Sequence, residues 1–401
     1  MSPRHEARAT TLEQLFATKE IVVFCGSGGV GKTSVAAAAA LGASVRLGGK
    51  TLVLTIDPAR RLATALGLDG IGNEAHRVPS ELLKAAGADP RGELWAAMLD
   101  TKQSWDDLVL RYAKDEATAH KILENRLYHN ITARFVQSHD YIAMERLFEI
   151  HASGEYDLIV IDTPPTRNAV DFLDAPAHMS DFFGGRLLRW LTLPYRVGGK
   201  RSARFVNMAS RPFYQLADRV LGSKFLEDIA EFFLNFQSMY AGFVERAQSV
   251  ERLLHDRRTT FAVVTTLEAA PLYEAQQFCE TLLDRHFHLG ALVLNKTLPD
   301  TLLDPKAAAA AARFSEERGA LADALSTLPH PALADPERTT RVLRTIGESF
   351  ANFAVVAMRE AELRAELTGV PDVVVSVPGF EHDISDVDGL AAIARVLYAD
   401  T

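Results

Sequence analysis

Cysteine is almost missing from this chain: Cys25 and Cys279 are the two thiols in 401 residues. That excludes the disulfide framework of a small secreted domain and a Cys-x-x-Cys zinc site, and a reducing, cytoplasmic setting is expected. Long apolar runs are missing too. No stretch approaches the ~20 uninterrupted apolar residues of a spanning helix, and the opening MSPRHEARATT lacks the apolar centre of a signal peptide. Positive charge is in deficit, with 43 Lys and Arg against 52 Asp and Glu. A formal charge of −9 argues against a general nucleic-acid binder, which needs a basic face to neutralise phosphates. What remains is an ordinary globular balance, 48% hydrophobic and 24% charged, in a chain long enough to bury a large core.

The most informative stretch is Ile21 to Ser34, which reads IVVFCGSGGVGKTS. Ile21 to Cys25 has the β-branched and aromatic content of a buried strand, and it ends in glycines that no strand interior favours. Gly26 to Thr33 fits G-x-x-x-x-G-K-[ST] without a mismatch, and a helix-forming run follows at once. Glycines at 26, 28, 29 and 31 let the backbone wrap a phosphate with its N–H groups pointing inward, beside a helix N-terminus. Gly28, Gly29, Val30, Gly31, Lys32, Thr33 and Ser34 are therefore the expected nucleotide cradle. Lys32 would reach the β- and γ-phosphates, and the Thr33 hydroxyl would ligate Mg²⁺.

Further strands are expected at Thr51 to Ile56, Leu94 to Leu99, Tyr156 to Ile161, Thr260 to Thr265, Gly290 to Leu294 and Val373 to Val377. Their carboxyl ends deliver Asp57-Pro58-Ala59, Asp162-Thr163, Asn295-Lys296 and Pro378-Gly379-Phe380, the places where open α/β sheets hold ligands. Asp162 is the expected second anchor for Mg²⁺, through a water. The alternation reads as an open α/β sheet interrupted by an inserted helical subdomain. Residues 1–100, 151–171 and 256–401 would form the nucleotide-binding domain, and 101–150 with 172–255 the helical part. Within the latter, a cluster around Trp190 precedes a basic link, Arg196 to Arg204. A helix from Phe225 then repeats Ile229, Phe232, Phe233, Phe236, Met239, Tyr240 and Phe243 at three-and-four spacing. That stripe fits either a helix-binding groove or the subdomain's own core. Helices are also expected at Ser104 to Tyr112, Leu272 to Arg285, the alanines 307–312, Arg338 to Phe353 and Ala354 to Leu367.

Laid side by side, the loop, Asp57-Pro58-Ala59, Asp162-Thr163 and Asn295-Lys296 resemble the anion-transporting ATPase family, which includes the arsenite-pump ATPase and the ATPase that targets tail-anchored membrane proteins. Leu94 to Val109 and Pro271-Leu272-Tyr273-Glu274 extend the likeness in family order. The resemblance implies a doubly wound, mostly parallel α/β sheet of the P-loop NTPase class with an inserted helical subdomain, ATP bound with Mg²⁺, hydrolysis, and a homodimer or a heterodimer with a related subunit. It implies that Asp57 orients the attacking water, that Asn295 reads the adenine edge and that Pro378 packs against the base. It also implies a hydrophobic protein client or membrane-protein partner. Two departures stand out: Ser27 takes the place of a second loop lysine, for which Arg60, Arg61 or Arg167 would have to compensate, and Arg60 and Arg61 alter the first switch. Two thiols so far apart in sequence read as buried small hydrophobes, which places an arsenite or antimonite efflux subunit behind a cytosolic ATPase. A nucleotide-gated scaffold with little turnover is the other alternative. His286, His288, His382 and Asp383 fit no strong metal-ligand spacing and read as surface or capping residues.

Overall fold

The computed structural model describes residues 11–56, 61–68, 70–134, 136–163, 173–174, 223–367 and 371–399. Asp57, Arg60, Arg167, the Trp190 cluster and the Arg196 to Arg204 link lie outside these described residues.

Eight strands form one sheet: β1 Ile21–Cys25, β2 Lys50–Thr55, β3 His76–Arg77, β4 Glu93–Met98, β5 Leu158–Asp162, β6 Thr259–Thr265, β7 Leu289–Thr297 and β8 Val373–Pro378. Their order is β3-β4-β2-β5-β1-β6-β7-β8, parallel throughout except for the β3–β4 pair. The central strands are apolar on both faces because helices cover both. Ile21, Val23 and Cys25 of β1 join one core cluster, and Val22 and Phe24 join the other. Before β5 the chain builds outward from β1 on one side, and after β5 it builds on the other. The crevice outside the carboxyl end of β1 is thus the switch point of a doubly wound sheet.

One face carries the helices Leu12–Phe16, Lys32–Arg46, Arg61–Ala65, Ser80–Ala85 and Val387–Leu397, whose buried residues share one cluster. The last of these had no counterpart among the expected elements, and neither did β3 or Ser80–Ala85. Val387–Leu397 lies against Lys32–Arg46: the Tyr398 hydroxyl donates to the Ala39 carbonyl at 2.7 Å, and its ring fills the space where a Cβ on Gly42 would sit. Arg46 donates back to the Tyr398 carbonyl at 3.3 Å.

The other face carries Thr101–Tyr112, Glu116–Leu123, Arg126–Arg134, Val136–Ser153, Ser223–Leu254 and Ala269–Asp284. Here Phe232, Phe236, Met239 and Phe243 of the aromatic stripe are buried, with Phe236 stacked on Phe243 at 5.2 Å and Phe243 against Trp105 and Tyr141. These four residues are core. Beside them Arg246 lies 3.8 Å from the Tyr112 ring centre and pairs with Glu145, which also accepts from the Tyr141 hydroxyl at 2.7 Å. Burial pushes the Glu145 carboxyl upward, against the pull of Arg246.

Where two helices were expected near the C-terminus, Pro336–Leu367 is continuous over 32 residues. No proline or glycine pair interrupts it, and Gly347 sits where a Cβ would meet Ser315 Oγ at 2.3 Å, so close approach to the helix Pro305–Glu316 keeps the glycine inside a straight run. No helix among the described residues is long and apolar enough to cross a membrane.

Two outcomes are expected. Tyr398→Phe removes a buried hydroxyl's bond and lowers stability by about 1 kcal/mol in urea denaturation. His288, bonded to Thr260 Oγ1 at 2.8 Å and Asp372 at 3.0 Å, has its imidazole held below the usual 6.5 by burial and by Lys19, with Asp372 acting the other way. A depressed folded-state value favours the neutral ring, so this contribution is present above pH 6.5 and fades as pH falls. The melting temperature of His288→Gln therefore declines less steeply from neutral to mildly acidic pH than that of wild type.

Candidate functional site: a phosphate-binding crevice at the end of β1

The loop after β1 has the geometry its glycines permit. Gly26, Gly29 and Gly31 take φ of 150°, 82° and 88°. A Cβ on Gly26 would meet the Val264 carbonyl oxygen at 2.1 Å, and one on Gly31 would meet the Asn295 amide at 2.4 Å. Gly28 and Gly29 form the exposed tip. Gly31 caps the helix Lys32–Arg46 in the left-handed conformation with no side-chain cap, so no side chain competes for the first helical N–H groups. Those donors and the helix dipole face the crevice, an arrangement suited to an anion.

A loop that turns amides inward must turn carbonyls elsewhere, and here the outward carbonyls receive side-chain donors. Lys32 Nζ donates to Gly26 O at 2.9 Å and to Ser27 O at 3.3 Å. Asn295 Nδ2 donates to Val30 O at 2.7 Å, and Lys296 Nζ to Gly29 O at 3.0 Å. Asn295 and Lys296 are consecutive in β7, where a regular strand would send them to opposite faces. Lys296 sits at φ 58°, and the β7–β8 register slips between Asn295 and Thr297. This bulge lets both side chains reach one loop. The sequence places Asn295 and Lys296 together at the sheet's carboxyl edge but gives Lys296 no role, because nothing in its residue type signals a left-handed backbone.

On the opposite wall, Asp162 ends β5 fully buried and accepts from Thr55 Oγ1 at 2.9 Å. Thr163, next in chain, donates to Phe24 O at 2.8 Å and reaches the crevice. The crevice encloses about 810 Å³, within the ordinary size of small-molecule sites. Lys32, Thr33 and Ser34 line it, together with Pro378, Phe380, His382 and Arg61. Among the residues carrying the sequence expectation, Gly29, Gly31, Lys32, Thr33, Ser34, Asn295 and Pro378 all line it, whereas Asp162 lies beneath the lining.

Ser27, in the position of the missing lysine, donates to Glu274 Oε2 at 2.6 Å. Arg61 is the one described member of the three candidate compensating arginines, and it is exposed on the crevice wall. Burial pushes both thiols up to about 12, with a hydrogen bond from Thr163 pulling Cys25 back and Glu280 raising Cys279 further. Protonated thiols are poor ligands for soft ions.

A glycine loop between a parallel strand and an uncapped helix, at the switch point of a doubly wound sheet, defines a P-loop nucleotide-binding protein. Residues 19–323 match the sequence profile of the anion-transporting ATPase family, and the chain belongs to that family. It is 26% identical over 296 residues to a protein of Chlorobaculum tepidum named "Putative arsenical pump-driving ATPase", covering 69% of this chain and 61% of that one. A like-named protein, numbered 1, of Aquifex aeolicus is 23% identical, with 71% of this chain and 64% of that one covered. The ATPase get3 of Schizosaccharomyces pombe is 24% identical, with 72% and 78% covered. The chain thus spans about three-fifths of the length of these two arsenical-pump relatives.

Gly31→Ala places a methyl against Asn295 on a backbone that costs about 1–3 kcal/mol for a side chain. Affinity for a fluorescent ATP analogue is expected to fall about tenfold or more, since each 1.4 kcal/mol is about tenfold, while the melting curve stays cooperative.

Proposed function

We propose that this chain binds ATP with Mg²⁺ in the crevice and hydrolyses it slowly to ADP and phosphate. The observation that carries the reading is the loop itself: glycines in left-handed conformations leading to an uncapped helix end, with every loop carbonyl named above held by a side chain. Lys32 would exchange its loop carbonyls for β- and γ-phosphate oxygens. The Thr33 hydroxyl and the Asp162 carboxylate are hard oxygen donors of the kind Mg²⁺ takes, Asp162 through a water because it is buried below the lining. Bound there, the ion would neutralise charge building on the phosphates. Asp57 would orient the attacking water. It follows β2, whose Thr55 pairs with Asp162, so the two carboxylates belong to neighbouring strand ends.

Asn295 and Pro378 would meet the adenine, with Phe380 close by. For Asn295 this role is shared with its bond to the loop. Arg61 would supply the positive charge that Ser27 lacks.

Coupling to a helical subdomain formed by 101–150 and 172–255 is supported by one connection. The helix Arg61–Ala65 lines the crevice, and the chain leading from it ends at Asn73, whose carbonyl accepts from Arg146 at 3.0 Å. Arg146 adjoins Glu145, the partner of Arg246 on the long helix. A shift at the crevice wall would be felt there. The burial of Phe232, Phe236, Met239 and Phe243 disfavours that part of the stripe as a client groove, so a hydrophobic client or membrane-protein partner would use another surface of the subdomain. The cell compartment proposed is the cytoplasm, and the oligomer a dimer, of like or related subunits. Nucleic acid is not among the proposed partners.

A nucleotide-gated scaffold is the second reading, favoured by Ser27, whose hydroxyl is engaged by Glu274 and brings no charge. Phosphate release separates the two. Wild type is expected to turn over slowly, Lys32→Ala to lose nucleotide affinity, and Asp57→Asn to keep affinity while turnover falls about 10²-fold or more. Affinity without turnover in wild type would select the scaffold. Arsenite is expected to leave the rate unchanged, because both thiols are held protonated.

A further inference from the structure

We infer that the helix Pro336–Leu367 carries a self-association surface, and that its occupant is the same helix of a second copy, packed antiparallel. The whole of this helix lies beyond the part of the chain shared with the family, which ends at residue 323. One of its faces is occupied: Thr339, Leu343, Gly347 and Ala357 are buried, with Gly347 against Ser315. The adjacent face is open. Val342 is 48% exposed, Ile346 47%, Phe353 53% and Val356 48%. With Ser349, also exposed, these residues fall at 342, 346, 349, 353 and 356. The spacing of four, three, four, three is the a/d seam of a coiled coil, sustained over two heptads. Four large apolar side chains in one stripe on a well-formed helix are not scattered surface hydrophobes.

The identity and direction of the occupant follow from size and charge along the stripe. With two copies related by a twofold axis midway between Ser349 and Phe353, Ile346 faces the partner copy's Val356, and Phe353 faces its Ser349. The largest side chain then sits over the smallest, twice. A parallel pair would instead set phenylalanine over phenylalanine and serine over serine, crowding one layer and leaving a gap in the other. Charges flanking the seam agree. Arg338 and Glu366 are both exposed on the same side of the stripe. In the antiparallel pair they come within about two residues, roughly 3 Å, of level with each other, given a rise of about 1.5 Å per residue. Asn352, exposed beside the seam, approaches its own symmetry copy. In this register Val342 falls opposite the second copy's Glu360, so the seam holds three apolar side chains per copy, Ile346, Phe353 and Val356; that is at the small end of specific interfaces, and the association is concentration-dependent. It needs neither nucleotide nor Mg²⁺, which separates it from any dimer formed through the phosphate crevice.

Sedimentation equilibrium on the full chain, without nucleotide and with EDTA, tests this. Wild type is expected to shift from monomer to dimer mass with rising concentration. Ile346→Glu and Phe353→Glu, each on an exposed position, should weaken that association at least tenfold with the melting temperature and ATP-analogue affinity unchanged. Wild type that stays monomeric over the whole range, or variants that associate as wild type does, would overturn the proposal. Direction is read separately in a Cys279→Ser background. Asn352→Cys should form bis-maleimide-linked dimers efficiently and Val342→Cys should not, because the antiparallel pair holds two copies of residue 342 far apart. Efficient linking through both positions would refute the antiparallel arrangement. Charge at 346 or 353 that unfolds the protein would show as a lost melting transition, and the two cysteine variants would then carry the test alone.

Discussion

The carbonyls of the phosphate loop set the terms for everything near it. A chain segment can present its amides to an anion only if it sends its oxygens the other way, and unpaired oxygens in a half-buried loop are costly. Four residues' worth of that cost is met by three side chains: Lys32 on Gly26 and Ser27, Lys296 on Gly29, and Asn295 on Val30. Two of the three come from β7, more than 260 positions along the chain. The sheet must therefore close as far as β7 before the loop has its shape, and preorganisation of the crevice is a property of the whole doubly wound layer.

Much of this was readable from residue types. The loop announced itself because glycine is needed wherever φ is positive or a neighbour comes close, and Gly26, Gly29 and Gly31 meet one or both conditions. The central strands were legible because a parallel sheet covered on both sides needs unbroken apolar runs. Illegible features share a different cause. β3 is two exposed residues, His76 and Arg77, held by pairing to β4 and not by their own character. The bulge at Lys296 leaves no trace because lysine has no preference for the left-handed region. The junction at Phe353 was read as a helix break where the chain runs straight on. The period of the aromatic stripe at 232–243 was correct, yet period alone does not distinguish a groove from a core, and the packing of Phe243 on Trp105 and Tyr141 decides that for four of its members.

Opposite faces of the sheet do different work. The face bearing Lys32–Arg46 is small-residue packing, with Ala36 to Ala40 buried against the strands, so the helix that ends at the phosphate site lies close to the sheet. On the face bearing Ser223–Leu254 the packing is aromatic, with one ion pair, Glu145 and Arg246, enclosed in it. Such a pair is costly to bury and costlier to break, which favours one arrangement of the helices over near alternatives.

The outer wall of the phosphate helix comes from far along the chain. Gly42 was left without a side chain so that the ring of Tyr398 could lie on it, and that ring arrives some 350 residues after the helix it covers. During synthesis the strand and glycines that define the site emerge well before Tyr398, so the helix behind them stays uncovered until that residue and the helix preceding it have been made. Maturation of the crevice is thereby made to wait for residues 387–398, and a product that stops short of them carries the motifs of the site without the brace that steadies it.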